Sequence, residues 1–231
     1  PAAPDRIRCW DPCTMSLLGH VKAFSPAEVR DAVAKARQAQ QKWKSSSFAQ
    51  RKHLLNTIHR CLIQNMETIV RVACRDSGKT RIDAVLGDVL TTAEKLRWMV
   101  AEGEQHLKPE YRSSGRLNMH KTSRVEFYPV GVVGAIVPWN YPFHNVLNPL
   151  IAAVFAGNSI VIKPSEYASW STQYFGRMIR LCLEAAEAPT DLVQIVTGYG
   201  DAGNVLAEGS VDKLIFVGSV EVGRRVQESC A

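Results

Sequence analysis

Residues 131–166 read G-V-V-G-A-I-V-P-W-N-Y-P-F-H-N-V-L-N-P-L-I-A-A-V-F-A-G-N-S-I-V-I-K-P-S-E. Val132–Val137 is an unbroken apolar run, the pattern of a strand covered on both faces. It stops at Pro138-Trp139-Asn140, a loop bearing an amide. Val146–Phe155 is apolar throughout and of helical length, and Gly157-Asn158 closes it. Ser159–Ile162 is a second strand, ending in a loop with Lys163, Ser165 and Glu166. Strand, helix, strand in this order is a βαβ unit, with parallel strands and a right-handed crossover. Open parallel sheets bind ligands beyond the carboxyl ends of their strands. An amide donor beside a Lys/Glu pair in that place predicts a site for a nucleotide and a reacting carbonyl.

The alternation continues downstream. A helix is expected from about Ser171 to Ala186, then a strand at Leu192–Val196 ending in Gly198-Tyr199-Gly200. A helical turn or two at Asn204–Ala207, a strand at Lys213–Val217, the turn Gly218-Ser219 and a helix from Val222 complete the chain. The fold class is α/β: a doubly wound parallel sheet, Rossmann-like, with N-terminal helices ahead of it.

Upstream, residues 1–24 are irregular, with Pro4, Pro12 and Gly19 as breakers and short edge strands at Arg6–Trp10 and Leu17–Ala23. Ser25-Pro26-Ala27-Glu28 is a helix start, with an N-cap Ser, Pro in the first turn and Glu three residues on. A second helix follows Ser47 and ends at Asp76-Ser77-Gly78-Lys79 with a C-cap glycine. A third runs from Ile82 to His106. Arg116–His120 and Arg124–Tyr128 alternate polar and apolar residues, which predicts two half-buried strands of a hairpin. Such a hairpin either pairs with another subunit or simply lies on the surface.

The chain has 231 residues, 46% hydrophobic and 22% charged, with a net charge of +6. The bases are scattered among acids, with no basic stripe and no nucleic-acid motif, so nucleic acid is excluded as a partner. The positive balance favours an anionic cofactor. No apolar run reaches the ~18 residues of a membrane-spanning helix. Six cysteines are present. Cys9 and Cys13 have a metal-like spacing without a second ligand pair, so no metal is expected. No disulfide framework is visible, which places the chain in a reducing, cytoplasmic setting. Position 1 is Pro rather than Met, so targeting cannot be read.

Each chemical candidate has two readings at this level. Asn140 is an oxyanion donor or the cap of the next helix. Lys163 and Glu166 hold ribose hydroxyls or form a loop ion pair. Gly198, Gly200 and Gly203 satisfy G-x-G-x-x-G, but the acid expected about 20 residues on is missing, where Val217-Gly218-Ser219 stands instead. Gly218-Ser219 opening a helix is a second place where backbone N–H groups meet a phosphate, or an ordinary tight turn.

In order along the chain, P-W-N-Y-P, K-P-S-E, G-Y-G and F-V-G-S-x-x-V-G together resemble the aldehyde dehydrogenase superfamily, over nearly the whole length. The resemblance implies NAD(P)+-dependent oxidation of an aldehyde to a carboxylic acid. It makes Asn140 the oxyanion-hole amide. Val137, Pro138 and Trp139 would line the nicotinamide channel, with Ser165 beside them. Lys163 and Glu166 would hold the adenosine ribose. Gly200, Gly203, Phe216, Gly218, Ser219 and Val222 would shape the adenine and pyrophosphate pocket. NAD is the expected cofactor, or NADP, and an aldehyde the substrate. Residues 1–114 and 129–231 would form the cofactor-binding domain. Residues 115–128 would be a bridging hairpin that joins subunits into a homodimer or homotetramer. Phe143, Leu147 and Trp98 would give the aldehyde channel an apolar mouth.

Two departures stand out: Val217 occupies a place where the family often has Thr, and the glycine loop is slightly short. The family's general-base Glu and nucleophilic Cys follow the F-x-G-S segment, beyond Ala231. Cys230 lacks the setting of a nucleophile. The chain is thus expected to be a portion of the enzyme that is inactive alone and prone to aggregate where apolar surface is uncovered. The alternatives are a non-catalytic nucleotide-binding or subunit-interaction module, and a semialdehyde or acyl-reductase relative of the same fold.

Overall fold

The structure, a computed structural model, describes residues 5–231. Pro4, expected as a breaker, lies outside the described residues. Strands β1 (Arg6–Trp10) and β2 (Leu17–Lys22) form an antiparallel hairpin. Helix α1 (Pro26–Trp43) begins with the expected capping box: Ser25 Oγ accepts from Glu28 N, and Glu28 accepts from Ser25 N. Such a reciprocal pair satisfies two donors that a helix start would otherwise leave open.

The sheet is four-stranded and wholly parallel, in the order β7–β6–β5–β8, where β5 is Val132–Val137, β6 Ser159–Pro164, β7 Val193–Ile195 and β8 Lys213–Phe216. Helices cover both faces. On one, Val133, Ala135, Val137, Ile160 and Ile162 pack into a core shared with α2 (Phe48–Gln64), α3 (Met66–Ser77), α5 (Thr91–Glu102), α6 (Pro142–Phe155) and α7 (Ser169–Ala185). On the other, Val132, Val161 and Val196 meet Val29, Val33 and Ala36 of α1 and Ala202 and Val205 of α8 (Gly200–Val205). Burial on both faces is why β5 reads as a continuous apolar run rather than an alternating one. Helix α9 (Val220–Cys230) follows β8 and buries none of its residues. Among the described residues no helix is long and apolar enough to cross a membrane.

Four expectations are corrected. The second helix is two, because it breaks at Asn65, whose side-chain Nδ2 donates to Cys61 O at 2.9 Å. Asn competes with the backbone ladder in this way. Gly78 nonetheless caps α3 with φ 72°. The third helix changes pitch: α4 (Arg81–Asp83) runs into a π-helical segment at Ala84–Leu90, then into α5, and ends in a 3-10 turn at Gly103–Leu107. Helix α6 starts at Pro142 rather than Val146, with proline in its first turn. The hairpin pairs β3 (Glu110–Arg112) with β4 (Ser123–Val125), not Arg116–His120 with Arg124–Tyr128. Gly115 at φ 73° and a 3-10 turn at Arg116–Asn118 bend the chain where the alternation suggested a strand. Its large apolar residues are not half-buried: Leu117 is 93% and Met119 81% exposed.

Candidate active site

The loop after β5 holds Asn140 by its side-chain oxygen. Asn145 Nδ2, from the first turns of α6, donates to Asn140 Oδ1 at 3.0 Å and to Pro138 O at 3.1 Å. An amide oxygen fixed in this way turns the NH2 outward. Among the described residues Asn140 Nδ2 has no acceptor, and Asn140 is exposed. The capping alternative fails: Tyr141 stands at the N-cap of α6, with no side-chain bond to the helix. The first-turn amides are served from elsewhere, by Asp88 Oδ1, which accepts from Phe143 N at 3.0 Å and His144 N at 3.1 Å.

The next strand end lies against this loop. Val137 pairs with Pro164, and Ser165 N donates to Val137 O at 2.9 Å. Lys163 is buried, with its Nζ 3.9 Å from Glu166 Oε2 and donating to Pro164 O at 3.3 Å. Burial pulls the Lys163 ammonium below its usual range, and Glu166 opposes the shift. At 3.9 Å the pair is loose, and the half-buried carboxylate keeps most of its acceptor capacity, with Ser165 Oγ at 3.4 Å. Trp139, Glu166, Tyr167 and Tyr199 line one groove of about 690 Å³, closed on its far side by β1. The ends of β5, β6 and β7 therefore meet at one rim.

Gly203 sits over the stem of Lys163, and a Cβ there would lie 3.5 Å from Lys163 Cδ, an ordinary contact. A Cβ at Gly200 would meet nothing within 4 Å. Neither glycine is demanded by the packing around it, and the open space at Gly200 fits a ligand that needs close backbone approach. Gly218 is different: a Cβ there would lie 2.6 Å from the Phe216 ring. Phe216 folds back under the β8–α9 turn, so a side chain at 218 would have to push that ring aside. Ser219 caps α9, its Oγ accepting from Val222 N at 3.5 Å, and Val222 is 45% exposed. Lys163 and Phe216 both pair with Ile136, one on each side. They thus stand at one level of the sheet, roughly 10 Å apart at ~4.8 Å per strand step.

The apolar mouth is not where the sequence suggested. Phe143 and Leu147 are fully buried, and Phe143 packs edge-on to Phe175 at 5.0 Å in the core. Asn145 is the α6 residue that meets Asn140, and His144 faces Thr91 instead, its Nδ1 3.2 Å from Thr91 Oγ1. Trp98 remains 41% exposed. The helical period was misassigned because the helix begins one turn earlier than its apolar run. Asn145, Asp88 and Tyr199 escaped the sequence reading; an acid inside a helical apolar pattern was the available signal for Asp88. Cys9 also lines the groove, but burial, with Asp76 adding to it, pushes its thiol up to about 11, the reverse of a nucleophile's setting.

The family model described as "Aldehyde dehydrogenase family" matches residues 1–231. An aldehyde dehydrogenase-like protein of Schizosaccharomyces pombe is 39% identical over 97% of this chain, which spans 43% of that protein. One from Saccharomyces cerevisiae is also 39% identical, over 100% of this chain and 37% of its own length. Among solved structures, that of PnpE in complex with nicotinamide adenine dinucleotide superposes with a TM-score of 0.88 at 30% identity, covering 97% of this chain and 45% of that one. The chain thus spans less than half the length of the curated relatives it matches. A parallel sheet whose strand ends gather an outward amide, a buried lysine and a half-buried carboxylate, together with a family match along all 231 residues, shows that this chain belongs to the aldehyde dehydrogenase family.

Proposed function

We propose that the chain serves NAD(P)+-dependent oxidation of an aldehyde to a carboxylic acid, supplying the cofactor site and the oxyanion donor. The observation that carries this reading is the junction of strand ends, where Ser165 N donates to Val137 O and Trp139 and Glu166 line one groove. Glu166, with Lys163 behind it, accepts from the adenosine ribose hydroxyls; a carboxylate there suits NAD and repels a 2′-phosphate. Val137, Pro138 and Trp139 flank the nicotinamide. Gly200 and Gly203 admit the phosphates, while Phe216, Gly218, Ser219 and Val222 border the adenine end. Bound NAD+ supplies the hydride acceptor. Asn140 Nδ2 donates to the oxygen of the aldehyde as a thiolate adds to its carbon, and that donor stabilises the developing negative charge. The cysteine nucleophile and the general-base glutamate that the reaction also needs would come from another part of the whole protein, since this chain spans 43% and 37% of its two relatives above.

Ile82, Leu86 and Leu90 recur every fourth residue and are 71%, 54% and 49% exposed, a stripe suited to cover by that other part. Leu117 and Met119 at the hairpin tip would pack against a second subunit. Replacing both by Asp is expected to halve or quarter the mass of the assembled protein in light scattering; an unchanged mass would remove the hairpin from the interface. Titration of the chain with NAD+ and NADP+, beside an aldehyde oxidation assay on the whole protein, tests the function. Binding of NAD+ with oxidation of simple aldehydes supports it. Binding without oxidation would point to the non-catalytic module, and no binding to neither.

A further inference from the structure

The π-helical segment Ala84–Leu90 carries one residue the chemistry above does not use. Asp88 is fully buried, and both of its carboxylate oxygens are hydrogen-bonded. Oδ1 accepts from Phe143 N and His144 N, and Oδ2 accepts from Lys79 Nζ at 2.8 Å. The first turn of α6 is thereby accounted for group by group. Pro142 has no N–H, the next two donors go to Asp88, and Asn145 N already returns to Tyr141 O at 2.9 Å. A helix start is a natural place for a carboxylate, since orphan donors and the helix dipole both favour it. Here the carboxylate comes from another helix, more than fifty residues earlier, and the helix's own N-cap contributes nothing.

The same cluster grips the residue next to Asn140. Lys79 Nζ sits 4.0 Å from the centre of the Tyr141 ring. That ring lies so close to Gly87 that a Cβ there would be 2.1 Å from Tyr141 Cε1. A wide turn is what brings Gly87 and Asp88 to this side together; π-helical turns are rare and concentrate at functional sites. Tyr141 is thus pinned from one side by Lys79 and Gly87, the helix after it by Asp88, and Asn140 is held between them and the bond from Asn145.

We infer that Asp88, with Lys79 and Gly87, is the positioning device for Asn140: it acts on the reaction only by fixing where that amide points. The inference rests on reading Asn140 as the oxyanion donor. A double-mutant cycle in the whole protein tests it, comparing Asp88→Asn, Asn140→Ala and the double variant on a simple alkanal. Asp88→Asn should lower kcat roughly 10- to 100-fold, as a misplacement of about 1 Å does, with NAD+ affinity within twofold of the parent. In the Asn140→Ala background the same change should cost less than about twofold, because residues that act as one unit are non-additive. A full additional loss in that background would overturn the positioning role and leave Asn140's role intact. If Asn140→Ala itself leaves kcat unchanged, both readings fall. Should Asp88→Asn not fold, Gly87→Ala replaces it. Alanine is a better helix former than glycine, and the added methyl displaces only the Tyr141 ring. It should lower kcat in the parent and add nothing to Asn140→Ala; additivity there is equally fatal.

Discussion

The rim at the ends of β5 and β6 and the rim at the end of β8 differ in how much of their shape the chain itself determines. On the first side β6 is buried along its whole length, Lys163 included, and Asn140 is bonded by Asn145 of α6, whose first turn Asp88 holds. On the second, α9 buries nothing, Val217 and Val222 are 49% and 45% exposed, and the turn is shaped by one aromatic ring against one glycine. On the proposed reading, the carbonyl end of the site is preorganised before anything binds, and the adenine end is not. Preorganised donors are what lowers a barrier, whereas a site that merely holds a cofactor tolerates adjustment on binding.

The sharpest way to break this contrast is Asn140→Ala in the whole protein. Steady-state kinetics should show kcat down about 10²- to 10³-fold, the usual cost of one oxyanion donor, with NAD+ binding retained. A loss confined to KM would place Asn140 in binding rather than chemistry. Next comes Lys163→Met. NAD+ affinity measured by calorimetry should fall about tenfold or more, since hydrogen bonds to charged groups are worth roughly 1.5–3 kcal/mol. The empty chain should become more stable at neutral pH, by about 1 kcal/mol. The sign follows from burial, which lowers the folded-state pKa of Lys163 below its unfolded value. The unfolded chain therefore binds more protons between those two pKa values, and wild-type stability attributable to this group rises with pH through that window. The advantage of Met should thus shrink as pH climbs toward about 10.4. Thermal unfolding at pH 7 and pH 10 checks it, and an advantage that grows with pH would contradict the desolvated lysine.

Glu166→Gln should weaken NAD+ by about tenfold and NADP+ by less, because only the 2′-phosphate is repelled by the carboxylate. Equal losses would take Glu166 off the ribose. The smallest effects separate the two kinds of glycine. Gly218→Ala should cost about 1 kcal/mol of stability, as overpacking against Phe216 does. Gly200→Ala should leave the melting temperature within the noise but reduce cofactor affinity. If the two variants behaved alike, the distinction between a glycine kept for packing and one kept for a ligand would be lost.

Much of this was legible in the sequence because burial leaves an unambiguous trace. Val132–Val137 and Ser159–Ile162 read as two-sided strands, and the capping box at Ser25 and the C-cap at Gly78 stand where their chemistry requires. Asn140, Lys163 and Glu166 were placed at the right strand ends for the same reason. Periodicity failed where solvent rather than a core faced the apolar residues, as at Leu117 and Met119, whose alternation mimics a strand. It failed also where long-range bonds replace local ones. The start of α6 carries no cap of its own because Asp88 supplies it, so a reader of local signals begins that helix a turn late and assigns Phe143 to the surface. Nothing in the spacing of Asn140 and Asn145 announces that one orients the other.

The widened turn at Ala84–Leu90 has an evolutionary corollary. An α-helix advances 100° per residue at 3.6 residues per turn, so dropping a single codon between 84 and 90 would restore ordinary pitch while swinging Asp88 and Gly87 out of line with α6. Point substitutions along that stretch alter one group at a time, but an in-frame deletion would disengage the whole brace at once. Chain length between Lys79 and Thr91, as well as the identity of Asp88, is a quantity that selection on this protein would have to guard.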